Sequence, residues 1–370
     1  MRKLSFLFIT ILFLGVSCGD NTPSGPSPDD FDRQAILINW SDNIIIPAFR
    51  NMSTESAGLR SETESFVQSP TVQNLTSLRE AWETAYLAFQ HVSMFEMGVA
   101  MDLRYRDNLN IYPTNPDEIE ESINSGSWNF DLPSLNDSQG FPALDYLING
   151  LAATDAEIVE FYTTNPAAEQ YRSYLLDLTL RIETLTNTVL EDWTSGYRDE
   201  FVNNSGNGAN ASLDMMVNDY IYYYERNLRA GKIGIPAGVF SGNPLSTHVE
   251  AYYSDGFSKA LFMESLTAVR NFFNGDHFDS QNSGESLSSY LQYLQSMKES
   301  VDLSTLIDEQ FVSAENAAAA LSPDFRQQVE DDNTLMLATY DQLQANVVLL
   351  KVDMLQSLNI NVDYVDADGD

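Results

Sequence analysis

The sequence predicts an all-α protein made of two helical bundles packed side by side. Three observations lead there. Apolar residues recur three and four positions apart along most of the chain, which is the period of one helix face. Alternating patterns bounded by turn residues, the mark of strands, are scarce. A polar, glycine-rich stretch between Val202 and Ala211 then divides the periodic segments into two sets, giving an N-terminal bundle over 33–200 and a C-terminal bundle over 201–360.

The clearest helix runs from Ser77 to Gly98, with Leu78, Trp82, Ala85, Phe89, Val92 and Phe95 on one face and Gly98 as its stop. A second is expected over Ala167 to Trp193, turning Tyr171, Tyr174, Leu175, Leu178, Ile182, Leu185 and Val189 inward. A third covers Ala211 to Leu228, a fourth His248 to Phe273, and a last one Pro323 to Leu358, with Pro323 in its first turn. Rods longer than an average globular helix point to bundle packing. Between the first two, Ile111 to Gln139 carries three prolines among Asn, Asp and Ser residues and reads as turns.

The ends carry an address. Arg2 and Lys3 precede an apolar run from Leu4 to Val16, which closes on Ser17 and Cys18. That is the pattern of a signal peptide over residues 1–17. The run is shorter than the roughly 20 residues a membrane-spanning helix requires. The segment Leu14-Gly15-Val16-Ser17-Cys18 resembles a bacterial lipobox, with Gly15 where an aliphatic residue is usual, and this implies lipidation of Cys18. Cys18 is the sole cysteine, so it has no disulfide partner within the chain. The Pro-, Ser-, Gly- and Asp-rich stretch after it makes 18–32 a flexible tether, and 361–370 is an acidic tail. The last residues, Asp366-Ala367-Asp368-Gly369-Asp370, have the opening of a calcium loop without its remaining ligands.

The formal charge is −35. Such a surface repels nucleic acid and anionic headgroups, so nucleic acid is excluded as a partner. It suits either a saline habitat or cationic partners. Catalytic patterns are sparse: the three histidines, His91, His248 and His277, form no His-Glu-x-x-His pair, and neither a Gly-x-Ser-x-Gly turn nor a phosphate-binding glycine loop occurs.

Four segments resemble the imelysin-like proteins in order and spacing. They are LREAWETAYLAFQHVSMFEMG at 78–98, NIYP at 110–113, GFPALDYLING at 140–150 and THVEAYYSDGFSKALFMESLTAVRNFFNG at 247–275. The resemblance implies two bundles related by a pseudo-repeat, a periplasmic or outer-membrane location, a part in iron uptake and, for some members, a peptidase M75 label. It also implies a Gly-x-His-x-x-Glu motif able to hold a divalent metal. Here Gly140 is kept, while Pro142 and Asp145 stand at the histidine and glutamate positions. Proline offers no donor atom, so an inherited metal site keeps one carboxylate. Gly140-Phe141-Pro142 also reads simply as a helix start, with Asp145 near the positive end of the dipole.

A second candidate group is His248, Glu250, Ser254 and Asp255. On a helix, His248 and Glu250 point apart, while His248 with Asp255 and Glu250 with Ser254 are better placed. The resemblance sets this stretch against the first motif, implying a shared pocket of Gly140, Pro142, Asp145, His248, Glu250, Ser254 and Asp255. The run DYIYYYER at 219–226 could offer tyrosines to iron or haem, but consecutive tyrosines face all round a helix and read as packing. The expected protein is a membrane-anchored binding lipoprotein linked to iron uptake and leaning away from enzymatic activity, its cofactor left open between none, iron and another divalent metal. The alternatives are a divergent metal-dependent peptidase using Asp145, His248 and Glu250, and a structural subunit of an outer-membrane transport system.

Overall fold

The computed structural model describes residues 30–364. Cys18, the signal segment, the tether as far as residue 29 and the tail from 365 lie outside the described residues.

Helix α1 (Arg33–Asn39) starts where the Asp32 carboxylate accepts from the Ala35 amide at 3.1 Å, and a wide π-type turn, Trp40–Ile45, carries it into α2 (Ile46–Gln68). Thr71 caps α3 (Val72–Gln90) by accepting from the Asn74 amide at 3.2 Å. Short helices follow: α4 (Val99–Leu103), α5 (Tyr105–Leu109), α6 (Pro116–Ser125), α7 (Gly140–Asp145) and α8 (Asp155–Phe161). Helix α9 (Ala168–Asp192) then lies along α2, which is sandwiched between α9 and α3. All seven residues expected to point inward from α9 are buried.

After α10 (Arg198–Asn203), α11 (Ser212–Tyr222) runs on through a wide π-helical segment, Tyr223–Gly234. Then come α12 (Ser258–Asn274), α13 (Leu287–Tyr293), a two-stranded hairpin of β1 (Met297–Lys298) and β2 (Val301–Asp302), α14 (Leu303–Ala319), α15 (Phe325–Asp331), α16 (Thr334–Val347), a π turn over Val348–Met354 and α17 (Leu355–Leu358). In this half α14 and α16 pack on each other and on 223–234. The two sets of helices meet where α12 lies on α3 and Trp40 stacks on Phe272 at 4.6 Å. From Asp32 onward the chain forms one compact unit.

The helical class is as the sequence predicts, and several boundaries differ. The 77–98 helix starts at Val72 and ends at Gln90; Val92 and Phe95 are buried as expected, but from a turn that Arg106 pins by donating to the Ser93 carbonyl at 2.5 Å. Gly98, at φ +59, opens α4 instead of closing α3. The helix expected from His248 begins only at Ser258, because Val249 is extended, Ala251 sits at φ +56 and Gly256 at φ +80. The 323–358 rod is broken at Asp332 and Asn333: Asp332 is extended, and Asn333 Nδ2 donates to the Ala237 carbonyl at 2.8 Å. Pro323 precedes the capping residue Asp324 and lies outside the helix.

Candidate functional site

The site is built where α7 meets the irregular strand 247–253. Helix α7 can sit there only because its first residue has no side chain: Gly140 adopts φ +73, and a Cβ at that position would lie 2.2 Å from the Leu109 carbonyl oxygen. Phe141 then stacks flat on Tyr86 of α3, ring centroids 4.4 Å apart and 6° from parallel. Both expected site residues that follow are buried, Pro142 and Asp145, and Asp145 is only 1% exposed.

Asp145 reaches across to the second stretch. One of its oxygens accepts from the Tyr253 backbone amide at 2.8 Å and the other from Asn149 Nδ2 at 2.9 Å. A regular helix over 248–257 would have turned the Tyr253 amide toward its own carbonyls, so the irregular backbone is what makes this bond available. Tyr146 and Tyr253 pack beside it at 5.3 Å. Together these elements enclose a cavity of 380 Å³ lined by Tyr112, Pro113, Thr114, Pro116, Pro142, Asp145, Thr247, Val249, Ala251, Tyr252 and Tyr253. That volume suits a small organic molecule. Asp145 is the one carboxylate in its wall.

Glu250 lies between two wall residues without being part of the wall. It is 2% exposed and belongs to a closed polar network: it pairs with Lys232 Nζ, accepts from Asn110 Nδ2 at 2.8 Å and from the Tyr86 hydroxyl at 3.2 Å. Lys232 donates further to Gln90 Oε1 at 2.9 Å, which also accepts from the Ser265 hydroxyl at 2.7 Å. Burial, reinforced by the Glu250 charge, pushes the Tyr86 hydroxyl well above the usual tyrosine range and keeps it a donor.

The remaining expected residues go elsewhere. His248 is half-buried and outside the cavity wall, its Nδ1 3.2 Å from the Thr247 hydroxyl. Ser254 is buried and donates to the Ala251 carbonyl at 3.1 Å. Asp255 is exposed and pairs with Arg326 at 3.1 Å beside a separate surface groove. The structure thus joins Gly140, Pro142 and Asp145 to the 247–253 segment while directing Glu250, His248 and Asp255 to three different surroundings. The Asp219–Arg226 run packs: the Tyr220 hydroxyl donates to the Val269 carbonyl at 3.2 Å and that of Tyr224 to the Leu343 carbonyl at 3.0 Å.

This donor set does not fit a divalent metal. Pro142 has no ligand atom, each Asp145 oxygen already accepts a hydrogen bond, and no group of three or more His, Cys, Asp or Glu residues converges among the described residues. Burial also pushes the Asp145 carboxyl up to about 7, against the opposing bonds from Tyr253 and Asn149. The unfolded chain releases this proton near 3.8 and the folded chain only near 7, so stability falls as pH rises through that window. In Asp145→Asn a plot of melting temperature against pH should flatten between those limits. Glu96, which burial likewise pushes up to about 7, leaves a residual slope of the same sign. A slope equal to wild type would show that Asp145 titrates normally.

Sequence reasoning missed Tyr86, Gln90, Asn110, Tyr112, Lys232 and Ser265. A weak signal exists for some of them: Tyr86 and Gln90 sit four apart beside an apolar stripe, and Lys232 is a lone cation between Gly231 and Ile233. Nothing local pairs Lys232 with Glu250, which depends on how the chain folds back.

Comparison with known proteins agrees with this architecture. The profile of the imelysin family, peptidase M75, matches residues 45–350. A solved structure of an iron-regulated protein A precursor from Parabacteroides distasonis superimposes with a TM-score of 0.71 at 18% identity, covering 90% of this chain and 96% of that one. An imelysin-like protein from Psychrobacter arcticum gives 0.69 at 16% identity, covering 90% and 97%. No curated protein matches the chain significantly.

Proposed function

The chain belongs to the imelysin family, and on that premise we propose that it is an exported binding lipoprotein, held to a membrane through Cys18, that takes a small ligand connected with iron uptake and does no chemistry on it. The observation that carries this is the 380 Å³ cavity, whose wall of tyrosines and prolines holds Asp145 and two threonines but no imidazole, lysine or thiol to activate a hydroxyl. A wall of that kind recognises an organic body by packing and fixes it with one hydrogen-bonding carboxyl. The adjoining Lys232–Glu250 pair is closed on itself, which suits a scaffold rather than a reacting group. The iron connection draws on the description of the Parabacteroides relative as iron-regulated. The location draws on the leader and Cys18; no helix among the described residues is long and apolar enough to cross a membrane. A protein of an outer-membrane transport system is the partner this arrangement would serve.

The test is a melting-temperature titration with ferric citrate and haem beside bare ferrous, ferric, zinc and calcium ions. An organic iron ligand present at about 100 times its dissociation constant would stabilise by about 2.7 kcal/mol. That shift should vanish in Thr247→Trp, which fills the cavity from its rim. No shift with either organic probe would end the iron-ligand reading.

A further inference from the structure

Five of the exposed large apolar side chains fall on two adjoining segments: Tyr293, Met297 and Val301 at the end of α13 and on the hairpin, Val348 and Val352 on the π turn before α17. These segments are tied together, since Lys298 of the hairpin pairs with Asp353 at 2.6 Å. They are also tied to the point where the folded unit begins. Arg33, in the first turn of α1, donates to the Tyr290 hydroxyl at 2.7 Å, and its guanidinium lies over that ring at 5.5 Å. The chain therefore enters the folded unit one helical turn away from Tyr293 and a few residues from the hairpin.

We propose that this face rests on the headgroup layer of the bilayer to which the protein is anchored. The inference rests on lipidation of Cys18. Arg33 follows Cys18 by 15 residues, a length of chain that spans at most about 50 Å even when fully extended, so an anchor at Cys18 keeps α13 and the hairpin within reach of the membrane. Tethering converts a weak contact into an intramolecular one at high effective concentration, and a lipid anchor supplemented by a surface contact is the usual two-part form of stable membrane attachment. The five side chains supply apolar area, and an amphipathic tyrosine suits the interface. The register puts Met297 and Val301 on opposite faces of the hairpin, so the hairpin meets the headgroup layer edge-on, with one of these side chains on each flank. Glu299 in its turn and a net charge of −35 set the preference: zwitterionic lipid over anionic.

The test uses the lipidated full chain in phosphatidylcholine vesicles, with a nitroxide on Met297→Cys or, as control, on Ala57→Cys, an exposed position of α2. The acylated Cys18 leaves the introduced thiol as the sole reactive one. Oxygen collision at position 297 should exceed that at position 57 several-fold and should fall when phosphatidylglycerol replaces phosphatidylcholine. Combining Val301→Ser with Val352→Ser should reduce it without changing the melting temperature. A label at 297 as aqueous as the one at 57, on anchored protein, overturns the proposal and leaves the face to a protein partner. Mass spectrometry showing Cys18 without acyl chains overturns the anchor and this face with it, and leaves the ligand cavity untouched.

Discussion

Glu250→Ala is expected to lower stability by about 3–5 kcal/mol, the cost of leaving one member of a buried ion pair without its partner. The variant strands the Lys232 ammonium, 3% exposed, with Gln90 as its remaining partner, and removes the acceptor that Asn110 and Tyr86 share. Lys232→Met should cost a similar amount because it buries an uncompensated carboxylate. Combining Lys232→Met with Glu250→Leu removes both charges and should recover most of the loss. Urea unfolding with an unchanged slope is the suitable measurement. Single variants costing less than about 1 kcal/mol would mean that water reaches the pair and that the network is not closed.

Gly140→Ala is the other large effect. Its Cβ would meet three backbone atoms of Leu109 at 2.2, 2.5 and 2.8 Å, none of which can swing aside as a side-chain end would. Left-handed backbone alone costs an L-residue about 1–2 kcal/mol, and overpacking adds about 1–3 kcal/mol. The clash lies next to Asn110, which links Tyr86 to Glu250. The effect should therefore be non-additive with Glu250→Ala in a double-mutant cycle. Gly58→Ala makes the control: it is a glycine inside α2 with nothing within 4 Å of the added methyl, and it should stabilise by up to about 1 kcal/mol. If both substitutions behaved alike, the close approach of α7 to the end of α5 would be wrong.

The sequence was most legible where a long apolar stripe decides the outcome. The sequence places α9 to within one residue at each end because its apolar inward face repeats for about seven turns. The 248–257 segment departs from its helical pattern for the opposite reason. Its residues have acceptable helical propensity, but Glu250 and the Tyr253 amide have partners distant in sequence, Lys232 and Asp145, and those bonds outweigh local preference. The break at Asp332 and Asn333 likewise depends on a distant partner, since Ala237 is what holds it. At the site, the α7 positions are legible in the sequence, while the expected grouping with His248, Glu250 and Asp255 is not kept by the fold. Gly140, Pro142 and Asp145 were picked out by their order in the chain, whereas the pairing of Asp145 with a backbone amide could come only from the folded arrangement.

The wide turns at 40–45, 146–150, 223–234 and 348–354 act as phase shifters. Each holds more residues per revolution than an ordinary helix, so the stripe facing inward before the turn differs from the one facing inward after it. The rod that begins as α11 points Asp219 at Arg106 and Tyr223 at Ser93, and farther along still aims Lys232 at Glu250. Deleting one residue within 223–234 would rotate everything beyond it by about 100° and carry Lys232 off its target. Chain length in these turns is consequently expected to be constrained at single-residue resolution, while the largely exposed polar connection at 204–210 should tolerate an insertion.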